Sequence, residues 1–263
     1  MSLYVNLFIK KLISLIIKMD KKINLALSID GSSDYLSIAI LDKIKIVKVK
    51  HYKLQNVFNL DDYFINICDF LKKDYNFNSL YVGCGPGSFS GVRKTISFAK
   101  ALKFSKGEKF SVIGINSLAA LAYNYVEKYQ STKSKYILVV KDTKCNDFFV
   151  QLFQTTKEKY HFTIYPTSKI EIKKLTELEK FVDDMKIKKD ELTVIGMPEP
   201  TFKQNILKLK TIDVMSHFSS AASLGKLGFE ITKKQKKLNN SIKQHNFFNF
   251  DLNPIYAKSA KTN

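Results

Sequence analysis

The sequence predicts a mixed α/β protein made of two copies of one strand-strand-strand-helix-strand-helix pattern. Three observations predict it. Short apolar runs of strand length alternate with longer segments of helical periodicity. The βββαβα order occurs twice. Each copy also opens on a strand that ends in an aspartate and a polar loop, Asp30-Gly-Ser-Ser-Asp34 in the first and Asp142-Thr-Lys-Cys-Asn-Asp147 in the second.

In the first copy, Ile23 to Ile29 is an apolar strand running into Asp30. Gly31, Ser32 and Ser33 form the loop, Tyr35 to Leu41 the second strand, and Asp42-Lys43 turns into a third, Ile44 to Val49. Leu60 to Lys73 reads as a helix with Leu60, Tyr63, Phe64, Ile67, Cys68, Phe70 and Leu71 on one broad face. A strand at Leu80 to Cys84, a glycine-rich loop, a helix from Gly91 to Phe104, a strand at Phe110 to Ile115 and a helix at Ser117 to Tyr129 follow. The second copy has strands at Tyr136 to Val140, Phe148 to Phe153 and Tyr160 to Tyr165. A helix at Leu175 to Met185, a strand at Leu192 to Ile195 and a helix at Ser219 to Thr232 complete it. Such a doubled order is what the actin, hexokinase and Hsp70 (ASKHA) fold gives. The chain divides into an extension at 1–18, a first subdomain at 19–116, a second, degenerate one at 117–232, and a lysine-rich linker with a C-terminal segment at 233–263.

With 263 residues, 45% of them hydrophobic and 25% charged, the chain is an ordinary globular protein that needs no disulfide or structural metal to fold. Its three cysteines, Cys68, Cys84 and Cys145, are scattered and unpaired in spacing, which points to a reducing compartment. Its four histidines show no local zinc spacing. The net charge is +19, and 42 of the 43 basic residues are lysine, Arg93 being the exception. Two readings of that charge stand: drift in an AT-rich genome, or attraction to a polyanion such as nucleic acid.

Met1 to Lys18 has an amphipathic helical pattern, with Ser2, Asn6, Lys10, Ser14 and Lys18 recurring every four residues. Lys10 and Lys11 split its apolar run, which is too short for a membrane span. It reads as a start site placed upstream of Met19, as an organelle-targeting or membrane-surface helix, or as an ordinary extra helix. The expected location is the cytoplasm, or an organelle if the segment is a targeting helix.

Residues 83 to 95 read Gly-Cys-Gly-Pro-Gly-Ser-Phe-Ser-Gly-Val-Arg-Lys-Thr. A strand, a glycine-rich turn and a helix start can place backbone amides around an anion, or can let two backbones approach closely. The Walker A spacing fails, because only three residues separate Gly87 from Gly91 and Arg93 precedes Lys94. A dinucleotide loop would want an acid at the end of the next strand, which ends instead in Ile115-Asn116.

Gly85-Pro86-Gly87-Ser88-Phe89-Ser90-Gly91-Val92-Arg93 resembles the GPGSF[ST]G[LV]R signature of the TsaB (YeaZ) family. Leu25 to Leu41 is similar to that family's opening strands and loop, Ile137 to Phe149 to its IDAR-x-GEVY segment, and Asp251 to Tyr256 to its closing P-x-Y-L-R stretch. The chain departs from the pattern at Lys144, Asn146-Asp147 and Lys258, and at Leu54-Gln55-Asn56, where the family has His-Ser.

The resemblance implies a role in forming threonylcarbamoyladenosine beside the anticodon of tRNA. The implied role is that of a non-catalytic subunit, cytoplasmic and heterodimeric. It would pair with a TsaD-like catalytic subunit, work with a TsaE-like ATPase and meet tRNA through the complex, with self-pairing as a further state. No catalytic or metal residue is expected. Gly85, Pro86, Gly87, Ser88, Phe89, Gly91 and Arg93 are the signature loop. Phe64, Ile67 and Leu71, with Phe89 and Arg93, are the expected partner interface. Asp30, Ser32, Ser33 and Asp142 are candidates for vestigial nucleotide loops, where weak ATP or ADP and magnesium binding is the alternative to no cofactor. Other function classes are an active ATP-dependent kinase or hydrolase of the same fold, and a basic RNA-binding module.

Overall fold

The computed structural model describes residues 25–54, 60–71, 75–129, 135–143, 145–158, 161–196, 211–213, 220–237, 248–249 and 252–256. The extension at 1–18 and the stretch 238–246 lie outside them, as do Lys144 and Lys258. In chain order the elements are β1 (Leu25–Asp30), β2 (Tyr35–Asp42), β3 (Lys45–Lys53), α1 (Leu60–Phe70), β4 (Phe77–Gly83), α2 (Phe89–Lys106), β5 (Ser111–Ile115) and α3 (Ser117–Tyr129). They continue as β6 (Tyr136–Asp142), β7 (Phe148–Glu158), β8 (His161–Pro166), β9 (Glu171–Lys173), α4 (Leu178–Asp184), β10 (Leu192–Gly196), β11 (Thr211–Asp213), α5 (Ala221–Lys237) and β12 (Phe248–Asn249).

Two sheets result. The first has the order β12-β5-β4-β1-β2-β3, the second β11-β10-β6-β7-β8 with β9 on the flank of β7. In the first, β4 runs parallel to β1 and β5 to β4, while β2 and β3 fold back as an antiparallel meander. The second repeats this, with β10 parallel to β6, β11 parallel to β10, and β7 and β8 antiparallel. The doubled order of the sequence is therefore a doubled topology, that of the actin, hexokinase and Hsp70 class. β1 is covered on both sheet faces, and all six of its residues are buried.

The layers follow from the apolar clusters. One face of the first sheet packs under α1 and α2 through Leu27, Ile29, Ile38, Leu80, Tyr63, Ile67, Ile96 and Phe98. Its other face carries α5, which packs on α3, and α3 in turn covers the inner face of the second sheet, where Ile137, Val139, Phe153 and Ile195 lie. The outer face of the second sheet carries α4 through Leu178, Phe181 and Val182.

Two expectations are corrected by this packing. Ile67 and Leu71, read as partner-facing, are 0% and 5% exposed and lie in the core of the first half. The broad apolar face of α1 is used up on its own sheet and on α2, with Phe64 half-buried and its ring 6.3 Å from that of Phe98. The last long helix, read with the second half, packs on β1, β2 and β4 as well as on α3. Gly225 and Gly228 make this possible. A Cβ at Gly225 would lie 2.5 Å from a Leu41 methyl, and one at Gly228 2.3 Å from the Tyr81 ring. The chain end returns to the same half, where Phe248 pairs with Ile115 and Leu252 enters the core.

Candidate functional site at the glycine-rich motif

The motif leaves β4 at Gly83 and enters α2 at Phe89, which is why its glycines sit where two backbones meet. Ser88 caps the helix, its hydroxyl accepting from the Gly91 amide at 3.3 Å. Gly83, Gly87 and Gly91 lie against successive atoms of the loop that follows β1. A Cβ at Gly83 would fall 2.5 Å from the Asp30 carboxyl carbon, one at Gly87 1.9 Å from the Ser32 carbonyl oxygen, and one at Gly91 2.0 Å from the Gly31 carbonyl oxygen. Gly31 answers in kind, since a Cβ there would meet the Thr95 and Tyr63 hydroxyls at 2.6 Å. Those two hydroxyls bond each other, and Thr95 Oγ1 donates to the Gly91 carbonyl at 2.9 Å.

Four of the motif amides are committed to the protein. Cys84 N–H donates to the Ile115 carbonyl at 2.9 Å and Ser88 N–H to the Ser32 carbonyl at 2.8 Å. Val92 N–H donates to the Ser88 carbonyl at 2.9 Å, and the Gly91 amide goes to the Ser88 hydroxyl. The geometry is that of close backbone packing, not of an open phosphate loop.

Beneath the motif lies a side chain that the sequence reading passed over. Lys141 comes from β6 of the second sheet and is only 5% exposed. Its ammonium donates to the Ser32 carbonyl at 2.9 Å, the Ser32 hydroxyl at 3.0 Å and the Pro86 carbonyl at 3.2 Å. Asp30, 2% exposed, accepts the Ser32 amide at 2.7 Å. Burial pushes the Asp30 carboxyl above its ordinary value while the Lys141 charge pulls it back. Burial likewise lowers the Lys141 amine to about 8, against the pull of Asp30 and Asp34. Ser33, half-buried, accepts the Tyr35 amide at 3.2 Å. Asp142 is half-buried at the start of a tight turn in which the Thr143 amide donates to the Asp147 carbonyl at 3.0 Å.

The outward side of the motif is different. Phe89 is 57% exposed and Arg93 is exposed beside it. The Arg93 guanidinium lies 3.7 Å from the Phe89 ring centre, and its Nε donates to the Tyr256 hydroxyl at 3.1 Å. Tyr256 is 52% exposed, its ring 5.7 Å from that of Phe89. The closing segment is held in place by the Ile255 amide, which donates to the Cys84 carbonyl at 2.8 Å. From Phe89 and Arg93 the exposed side of α2 continues through Ser97, Lys100 and Ala101 to Phe104, which is 91% exposed.

Two sheets of one topology, each with parallel strands on one side and an antiparallel meander on the other, define an ASKHA-type fold. Comparison with known proteins narrows the class. The sequence model of tRNA N6-adenosine threonylcarbamoyltransferase, TsaD, matches residues 70–160. The tRNA threonylcarbamoyladenosine biosynthesis protein TsaB of Buchnera aphidicola subsp. Schizaphis graminum (strain Sg) is 27% identical over 178 residues, covering 66% of this chain and 78% of that protein. YeaZ from Pseudomonas aeruginosa superposes with a TM-score of 0.63 at 13% identity, covering 89% of this chain and all of that one. A second Pseudomonas aeruginosa structure, described as similar to the peptidase YeaZ, gives a TM-score of 0.61 at 14% identity over 90% of this chain and 100% of its own. The chain is thus similar in sequence to a tRNA threonylcarbamoyladenosine biosynthesis protein, TsaB, and in fold to YeaZ.

Proposed function

We propose that this chain is the non-catalytic pairing subunit of tRNA threonylcarbamoyl transfer, acting in the cytoplasm by binding a TsaD-like catalytic partner and ordering its cleft. The observation that carries the reading is the exposed cluster of Phe89, Arg93 and Tyr256 at the head of α2. An exposed aromatic pair braced by an arginine is the composition of an interface hot spot. Behind it, small Ser97 and Ala101 let a second helix approach, and Phe104 closes the far end of the stripe. In this reading Phe64 is a rim residue, a TsaE-like ATPase joins the pair, and the lysines add attraction for tRNA that is independent of sequence. A subdomain boundary near Asn116 fits the same reading. The Asn116 side chain bridges the halves, its Nδ2 donating to Gln151 Oε1 at 2.6 Å.

Phe89→Asp should abolish pairing and leave a folded monomer, as measured by sedimentation and circular dichroism. Pairing of wild-type affinity in that variant would place the interface elsewhere. In reconstitution with TsaD and TsaE, threonylcarbamoyl-adenylate and unmodified tRNA, omitting this chain should remove turnover. Modification by this chain alone would overturn the non-catalytic role. Among the described residues no helix is long and apolar enough to cross a membrane.

A further inference from the structure

Open α/β sheets take their ligands in the crevice beyond the carboxyl ends of the strands. In this chain the carboxyl ends of β1, β4 and β6 converge on a single ammonium of the chain itself. We propose that Lys141 is a built-in cation that closes this crevice and couples the two halves, so that the motif loop keeps its shape without a bound nucleotide or metal. The inference is separate from the choice of partner.

Lys141 belongs to the second sheet, yet the hydrogen bonds of its ammonium go to the first half: two to Ser32, one to Pro86. An ammonium has three donors, and these acceptors use all of them. Ser32 and Pro86 lie on different loops, so one atom ties β6, the loop after β1 and the motif together. The Ser32 carbonyl accepts from both the Ser88 amide and Lys141, which places the helix cap one bond from the cation. Carbonyl and hydroxyl oxygens beside a buried carboxylate form an environment of the kind that hard cations occupy, and here the ammonium stands in it. Gly87 completes the fit, because a Cβ there would lie 2.8 Å from Lys141 Nζ. Without the amine, buried oxygens on both loops lose their donor, which is costly enough to loosen the loops.

The test uses the isolated full chain. In Lys141→Met, amide hydrogen exchange at Ser32 and Ser88 should speed up by about tenfold or more while the β7–β8 ladder stays within about twofold of wild type. Unchanged exchange at the two serines, or an equal rise throughout the molecule, would overturn the proposal. If that variant does not fold, Asp30→Asn with Lys141→Met removes both charges and should show the same local loosening. Wild-type exchange at both serines in the double variant would overturn it. Calorimetric titration of the wild-type chain with magnesium-ADP needs no variant. It should show no saturable binding at millimolar nucleotide, and saturable binding would mean that the crevice is open to a ligand.

Discussion

The loops that follow Asp30 and Asp142 occupy equivalent places in the two halves, each after an interior strand from which an antiparallel meander leaves on one side and parallel strands on the other. The first is buried, packed under three motif glycines, and its aspartate is matched by an amine from the other half. The second folds on itself in a tight turn, with Asn146 at a φ of 61° and Cys145 exposed to solvent. One topology thus supports two local outcomes. A shared strand order fixes where the loops lie, and the residues that pack on each loop decide whether it is a rigid bed or a surface turn.

Breaking the difference at its strongest point should give the largest effect. Gly87→Ala drives a methyl into the Ser32 carbonyl and should cost about 3 kcal/mol, the upper end for overpacking. Gly107→Ala meets no atom within 4 Å and should cost only about 1 kcal/mol, for its φ of 77°. Lys141→Met strips a donor from buried Ser32 and Pro86 oxygens and should cost about 1–3 kcal/mol in urea unfolding. Asp142→Asn, at the equivalent strand end, should cost about 0.5 kcal/mol or less.

The smallest effect sharpens the comparison through chemistry. Cys84, in the motif, is buried and its thiol is pushed up to about 12, whereas Cys145 is exposed. A maleimide at neutral pH should label Cys145 at once and Cys84 only on unfolding. Because the folded Cys84 thiol holds its proton above the ordinary value of 9, its contribution to stability is full below pH 9. That contribution is lost as the pH rises from 9 towards 12.

Most of the frame was legible because long apolar strands and amphipathic helices announce themselves by period. The strands that escaped, β9, β11 and β12, have three, three and two residues, too few to show any alternation. The motif was legible as wording, and its glycines proved to be contacts with a loop more than fifty residues earlier in the chain. Lys141 was not legible. It follows an apolar run and precedes an aspartate, so it reads as the polar end of a strand, and nothing local says that its amine crosses to Ser32. Ile67 and Leu71 misled because a wide apolar helix face has the same appearance whether a partner or the chain's own second helix covers it. Tyr256 was visible only as part of a closing phrase.

The Arg93–Tyr256 hydrogen bond spans 163 positions in sequence. During synthesis Phe89 and Arg93 leave the ribosome long before the tyrosine that braces them. A nascent or prematurely terminated chain therefore carries an unfinished version of this surface, with the guanidinium unbraced on one side. The outward face of the motif is therefore finished only after the whole of the second half has been made.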